Sequence, residues 1–469
     1  MSIRIDDIKE RALSMMKEFK GQRMGMIGFS IIIFLLAISL LSPWLAPDTD
    51  GQWANPGRWE DNPRSAAPNW ADYILPGTRA PHDIREDYDE LDRTFMTIKY
   101  VYENEYDYPP SDITVFVSGT SSESRIRLYI DLIRPDGENI LFVDESVSIT
   151  NGTFSYRFSL RSSAGRDRSY DFGLNAHRDF FPDDLTPPDR ESVNIQMVPF
   201  AKLNENILLD PESLKGTYTL EVEAVGIDEY DDEGTRVLFR GMKYGLMGTD
   251  SNRKNLALGW VHGAKYALII GGIVSLSSIS IALLYGMTSA YYGGWVDEIM
   301  QRANEILLGI PIFPILVITM YAIGRSIWIL VLIYVILGWR GLAKIIRARG
   351  IQIRQDTYVE AAQSLGSSGG RVISRHMIPQ LLPYAIAEGA LMIPMVVIAE
   401  AGLSVLGLAD PTVVTWGRML SEANQYHATI SGLWWWILLP GLGLTLLGFG
   451  FITTGMALER VVNPKMRQR

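Results

Sequence analysis

Uncharged apolar runs long enough to cross a bilayer occur once near the N-terminus and repeatedly after about residue 260 of this 469-residue chain. A hydrocarbon core takes roughly 20 consecutive apolar residues as a helix, and in lipid only structures that satisfy their own backbone hydrogen bonds can span. Several such runs define an α-helical polytopic membrane protein. Between the first run and the rest lies a long polar, acidic stretch, so a water-facing module is inserted into the membrane part.

Charge separates the same regions. Residues 47–255 carry 39 Asp plus Glu against 22 Lys plus Arg, a balance of −17, while the remainder has 14 acidic and 21 basic residues, or +7. Basic loops beside apolar helices belong on the cytoplasmic side, and an acidic insert excludes nucleic acid as a partner. With no cysteine, disulfides and thiolate metal sites are excluded. The five histidines, 82, 177, 262, 376 and 427, form no close ligand pair. No metal or cofactor is expected.

The expected layout is a cytoplasmic N-terminus and first span (1–46), an extracytoplasmic insert (47–255) and a five-helix core (256–469). The first span, Met24 to Ala46, follows Lys17, Lys20 and Arg23 and exceeds a signal-peptide core in length. The second is Tyr266 to Tyr292. An amphipathic piece, Trp295 to Glu305, precedes a third span, Ile306 to Gly324, kinked at its start by Pro311 and Pro314. The fourth, Ile327 to Trp339, runs into Arg340, Lys344, Arg347, Arg349 and Arg354. The fifth, Tyr384 to Leu408, contains Glu388 and Glu400, and the sixth is Gly432 to Leu458. Six spans place both termini in the cytoplasm, the C-terminal one with Arg460, Lys465, Arg467 and Arg469; the insert is then outside and the loop 340–383 inside. Intramembrane acids are functional candidates by default, although Glu388 and Glu400 fit packing as well as substrate contact.

In the insert, Ile113, Val115 and Val117, then Ile126, Leu128, Ile130 and Leu132, alternate with polar residues, the period of half-buried strands. Asn151-Gly152 is a turn signal before Phe154, Tyr156 and Phe158, and residues 216–223 alternate again. A β-sandwich-like domain follows. Trp53, Trp59 and Trp70 in the irregular stretch before it are expected to pack on the sandwich. The acidic run 228–233 lacks the spaced ligands of a calcium loop and reads as a solvated turn.

The inner loop reads Tyr358-Val359-Glu360-Ala361-Ala362-Gln363-Ser364-Leu365-Gly366, then Arg375-His376-Met377-Ile378-Pro379. Tyr358 to Leu365 suits a short helix with Gly366 as a left-handed C-cap and small alanines open to close approach. Val372, Ile373 and Met377 seed a second short helix ending before Pro379. Glu360-Ala361-Ala362, a glycine four residues on and a proline thirteen further resemble the cytoplasmic signature of permease subunits of binding-protein-dependent ABC importers. Arg375-His376 matches the dipeptide and oligopeptide branch of that family. The resemblance continues in Gly248-Thr249-Asp250, Tyr291 to Glu298, Glu400 to Leu408, Trp416-Gly417 and Pro440-Gly441. It departs at Arg253-Lys254-Asn255, where the family has Gly-Arg-Asp, at Asn463-Pro464 in place of Asp-Pro, and in the insert.

The resemblance implies a type I importer permease fold. It implies that Tyr358, Glu360, Ala361, Ala362, Gly366 and Pro379 form an ATPase-coupling loop, with Glu360 making a polar contact or capping the helix. The implied partners are a second permease subunit, two ABC ATPase subunits and an extracytoplasmic substrate-binding protein. No phosphate-binding Gly-x-x-x-x-Gly-Lys-Ser/Thr motif occurs, so the chain itself is not expected to hydrolyse ATP. Peptides are the expected cargo; oligosaccharide or nickel import on the same scaffold, and a membrane receptor with an outer sensor domain, are the alternatives. The location of the insert favours docking of the binding protein.

Overall fold

A computed structural model describes residues 18–47, 49–181, 188–190 and 193–462. Lys17, Asn463-Pro464, Lys465, Arg467 and Arg469 lie outside the described residues. The chain divides into two compact units, one made of Met1–Ala54 with Leu258–Arg469 and the other of Asn55–Ala257.

Helix α1 (Arg23–Leu45) belongs to the helical unit. Among its described residues the insert that follows has ten strands: β1 (Asp83–Arg85), β2 (Glu90–Asp92), β3 (Thr97–Asn104), β4 (Asp112–Thr120), β5 (Arg125–Ile133), β6 (Asn139–Ser148), β7 (Thr153–Ser159), β8 (Gly216–Val225), β9 (Glu229–Tyr230) and β10 (Arg236–Arg240), with a helix, α2 (Ser163–Phe180), after β7. They form two five-stranded antiparallel sheets, one ordered β1-β10-β4-β7 with β9 on β4, the other β2-β3-β8-β5-β6. Alternation along each strand turns one face inward: Val115 lies opposite Phe158 and Val237, and Ile130 opposite Val222. These side chains share one buried cluster, in which Tyr102 of one sheet stacks on Phe239 of the other at 4.4 Å. Each fully buried side chain of this size contributes about 1.5–3 kcal/mol. Asn151 and Gly152 both take positive φ, as a two-residue turn requires, but they carry the chain from one sheet to the other.

The helix α2 was not signalled by apolar periodicity, because its buried stripe is Gly165, Ser169, Gly173, Ala176 and His177. Small residues let it lie close: a Cβ on Gly173 would come within 2.8 Å of both Leu208 and Val198 side-chain atoms. Of the tryptophans, Trp59 is buried and Trp70 half-buried, with its indole N–H donating to the Leu246 carbonyl at 2.7 Å. Trp53 instead packs in the helical unit, against Gly259 and Met419, where glycine leaves room for the indole.

The helical unit continues through α3 (Leu256–Tyr292), α4 (Gly294–Leu308), α5 (Ile312–Ile323), α6 (Ile327–Leu337), α7 (Arg340–Arg354), α8 (Thr357–Ser364), α9 (Ile378–Leu403), α10 (Trp416–Gln425) and α11 (Trp434–Val462). Among the described residues five spans are long and apolar enough to cross a membrane, and the pair α4 and α5, bent by 64°, makes a sixth if it counts as one. The bend falls at Gly309 to Pro311, while Pro314 sits inside α5 without breaking it. Close packing rests on small residues: Gly28 of α1 meets Gly450 and Thr453 of α11, and Trp416 wedges between Gly263 and Gly443.

Candidate coupling site

Helix α7 leads into the loop that carries Glu360, and its position is set by contacts to α3 and α4. Gly286 of α3 lies against the Ala343 carbonyl and Ile346, and Gly350 of α7 against Ala290 and Met287. Arg347 reaches Asp297 through two guanidinium nitrogens on one edge, Nε to Oδ1 at 2.6 Å and Nη2 to Oδ2, and Ser289 donates to the same carboxylate. Farther along, the Arg349 guanidinium stacks at 3.4 Å on the ring of Tyr384, whose hydroxyl donates to Glu388 at 2.6 Å. Glu388 thus ends a polar stack joining α7 to α9.

Beyond Arg354 the chain turns at Asp356 into α8. Val359 and Ala362, three apart and so on one face, are buried in one cluster with Val372, Ile373 and Met377. Tyr358, Glu360, Ala361, Gln363, Ser364 and Leu365 form the exposed face, Leu365 being 87 % exposed. Burial and the Asp356 carboxylate push the Tyr358 phenol up from its ordinary range. Gly366, at φ +76°, closes the helix: its N–H donates to Gln363 at 2.9 Å and that of Ser367 to Ala362 at 3.1 Å. This is the paired C-cap that favours glycine.

The expected site residues therefore divide. Tyr358, Glu360 and Ala361 are presented together, whereas Ala362 is buried against its own chain, because successive helical residues point about 100° apart. Glu360 makes no side-chain cap on α8. Pro379 is exposed at the start of α9, and the second helix does not end before it. One turn, Gly369–Val372, passes through a π-turn, Ile373–Met377, straight into α9. The wider turn gives Ile378 N–H the Ile373 carbonyl and lets proline occupy the first turn of α9, where an N–H is dispensable. Gly369 packs on Tyr291 and Tyr292.

The Asp297–Arg347 clamp was not anticipated: the sequence marks both residues as interfacial charges but does not pair positions 50 apart. At the far end of α9, Glu400 is buried and accepts from Ser404 at 2.8 Å and Thr415 at 2.7 Å, which ties α10 to α9. Among the described residues no group of three His, Asp or Glu side chains could hold a metal.

An α-helical membrane protein with a helical hairpin exposed on one face is the class this architecture defines. The family model for the binding-protein-dependent transport system inner membrane component matches residues 279–468, and that for the N-terminal transmembrane domain of oligopeptide transport permease C matches residues 13–63. A dipeptide transport system permease of Bacillus subtilis is 30 % identical over 223 residues, 47 % of this chain and 69 % of its own length. The oligopeptide transport system permease of Haemophilus influenzae is 31 % identical over 228 residues, 48 % of this chain and 71 % of its own. The corresponding Bacillus subtilis oligopeptide permease is 28 % identical over 225 residues, 47 % and 72 % of the two chains. The chain belongs to this family of peptide ABC importer permeases.

Proposed function

We propose that this chain forms half of the translocation pathway of an ATP-driven importer of di- or oligopeptides, paired with a second permease, two ATPase subunits and an extracytoplasmic binding protein. The observation that carries this reading is the split of α8 into a face buried by Val359 and Ala362 and a face of Tyr358, Glu360, Ala361 and Leu365 turned away from the chain. The exposed face docks in a groove of the ATPase. Because α8 follows α7 directly across the turn at Asp356, and α7 is held to α3 and α4, movement of the ATPase reaches the spans through contacts that differ between the two states. On this reading the membrane is crossed six times, the termini are cytoplasmic and the insert stands outside. The peptide cargo is supported by the names of the relatives.

The chain has no cysteine, so a single Ala361→Cys variant gives an unambiguous cross-link. Cross-linking to a cysteine-bearing ATPase subunit that rises and falls with ATP is the expected result. Normal peptide uptake by both Glu360→Ala and Gly366→Asp would remove α8 from the coupling path.

A further inference from the structure

Arg64, Arg161, Arg240 and Arg253, from separate stretches of the insert, are linked by mutual electrostatic contact, and the last three also feel the buried carboxylate of Asp112. Asp112, fully buried, accepts from Ser159 at 2.9 Å and Thr114 at 3.1 Å and lies 3.4 Å from the Arg240 Nε. Arg161 shares Ser159 with it, taking the Ser159 hydroxyl on its own backbone N–H at 3.1 Å and donating to the Ser111 carbonyl at 3.4 Å. Arg253 donates to the Glu60 carbonyl at 3.0 Å and Arg64 to the Ser251 carbonyl at 2.6 Å. Each guanidinium carries five N–H donors. Among the described residues Arg64, Arg161 and Arg253 make no close ion pair with an acid, and each spends one donor on a backbone carbonyl. Arg240, 1 % exposed, bonds Thr114 and the Asn62 carbonyl and keeps Nη2 buried without an acceptor.

The neighbouring acids do not correct this balance. Glu60 is engaged by Arg157, and Asp61 by Arg236 at 3.1 Å. In the adjoining turn the buried charges Asp250 and Lys254 cancel. Four guanidinium charges against the single carboxylate of Asp112 leave an excess of three. Burial and then the neighbouring arginines hold the Arg240 guanidinium down to about 10, and burial lowers those of Arg161 and Arg253. Arg253 also stands at φ +67°, a backbone conformation in which an arginine is strained and glycine is not. Its guanidinium is held in the cluster at that cost.

We propose that Arg64, Arg161, Arg240 and Arg253 form a binding site for a phosphate-type oxyanion, either free phosphate or the phosphomonoester of a lipid headgroup. The guanidinium fork matches an oxyanion edge. A dianion reduces the excess from three to one, where a carboxylate would leave two. Arg64 is exposed, Arg161 and Arg253 are half-buried and Arg240 is buried, so the cluster grades from solvent inward.

The test uses the full chain in detergent, with sodium phosphate titrated into chloride buffer at constant ionic strength. Binding is read by calorimetry and by thermal unfolding. One saturable site is expected, with sulfate competing and affinity at least tenfold weaker in Arg161→Gln. Arg64→Gln, exposed and making one contact, should weaken binding severalfold while leaving the melting temperature in chloride unchanged, which covers misfolding of the first variant. A second arm compares nanodiscs of phosphatidylcholine with and without phosphatidic acid. Stabilisation by phosphatidic acid that is lost in Arg161→Gln assigns the lipid headgroup as the source. No response to phosphate, sulfate or phosphatidic acid, or equal responses of wild type and both variants, overturns the site.

Discussion

Arg347 of α7 grips both carboxylate oxygens of Asp297 of α4 with its guanidinium Nε and Nη2, and Ser289 of α3 shares the same carboxylate. Three helices are thereby fixed at one point, 13 residues before Glu360. The pair is mostly buried, with the side chains 27 % and 18 % exposed. A double-mutant cycle with Asp297→Asn and Arg347→Gln should give a coupling of about 1–2 kcal/mol in unfolding of the detergent-solubilised chain. Peptide uptake should fall in both single variants while the ATPase still copurifies. A coupling near zero would mean that the contact is an incidental surface pair.

Gly366 offers a cleaner test of backbone geometry, because a Cβ there would meet nothing within 4 Å. Only the left-handed φ penalises a side chain, by roughly 1–2 kcal/mol for most residues and less for asparagine. Coupling efficiency, measured as peptide transported per ATP hydrolysed, should rank Gly366 above Gly366→Asn, then Gly366→Ala, then Gly366→Val. A Gly366→Ala variant better coupled than Gly366→Asn would show that contact with a partner, not the turn, selects glycine.

Ala361 and Ala362 separate docking from folding. Ala361 is exposed and Ala362 is 8 % exposed within the cluster of Val359, Val372 and Met377. Ala362→Leu overpacks that cluster and should cost about 1–3 kcal/mol of stability. Ala361→Leu should leave the melting temperature of the chain alone and reduce ATPase copurification. The reverse assignment of the two effects would refute the orientation of α8.

Much of this architecture is written in local pattern. The strands around Ile130 and Leu220 alternate cleanly, and the long helices declare themselves by unbroken apolar length. Gly366 was readable because its neighbours suit a helix and glycine is the residue that suits its end. What local pattern does not carry is pairing at a distance. Asp297 with Arg347 and Asp112 with Arg240 join positions 50 and 128 apart, and no periodicity links them. The helix α2 was missed because it buries glycine, serine and alanine, and Ala362 was grouped with Ala361 because a one-residue step reverses exposure in a helix. The turn at Arg253 shows a third case. The family pattern has glycine there, and the φ of +67° explains why; only the structure reveals what the arginine side chain does instead.

His82 in the insert sets a pH dependence separable from that of the carboxylates. Burial, and then the positive charge of Arg240, lower its imidazole to about 4, while Asp83 and the backbone near Phe239 and Asp61 act weakly the other way. In the unfolded chain it titrates near its ordinary value of about 6.5. Between these two values the unfolded state binds a proton that the folded insert refuses, so stability falls as pH is lowered through that window and is flat above it. Asp107 contributes only lower down. Its hydrogen bond from Lys215, helped by Thr78, holds it at about 2, so its share is lost between about 4 and 2. The melting temperature of the insert within the full chain should therefore drop between pH 6.5 and 4.5, and His82→Gln should remove part of that drop without changing its course below pH 4. If His82→Gln melts with the same pH profile as wild type between 6.5 and 4.5, the imidazole is not the group being refused its proton.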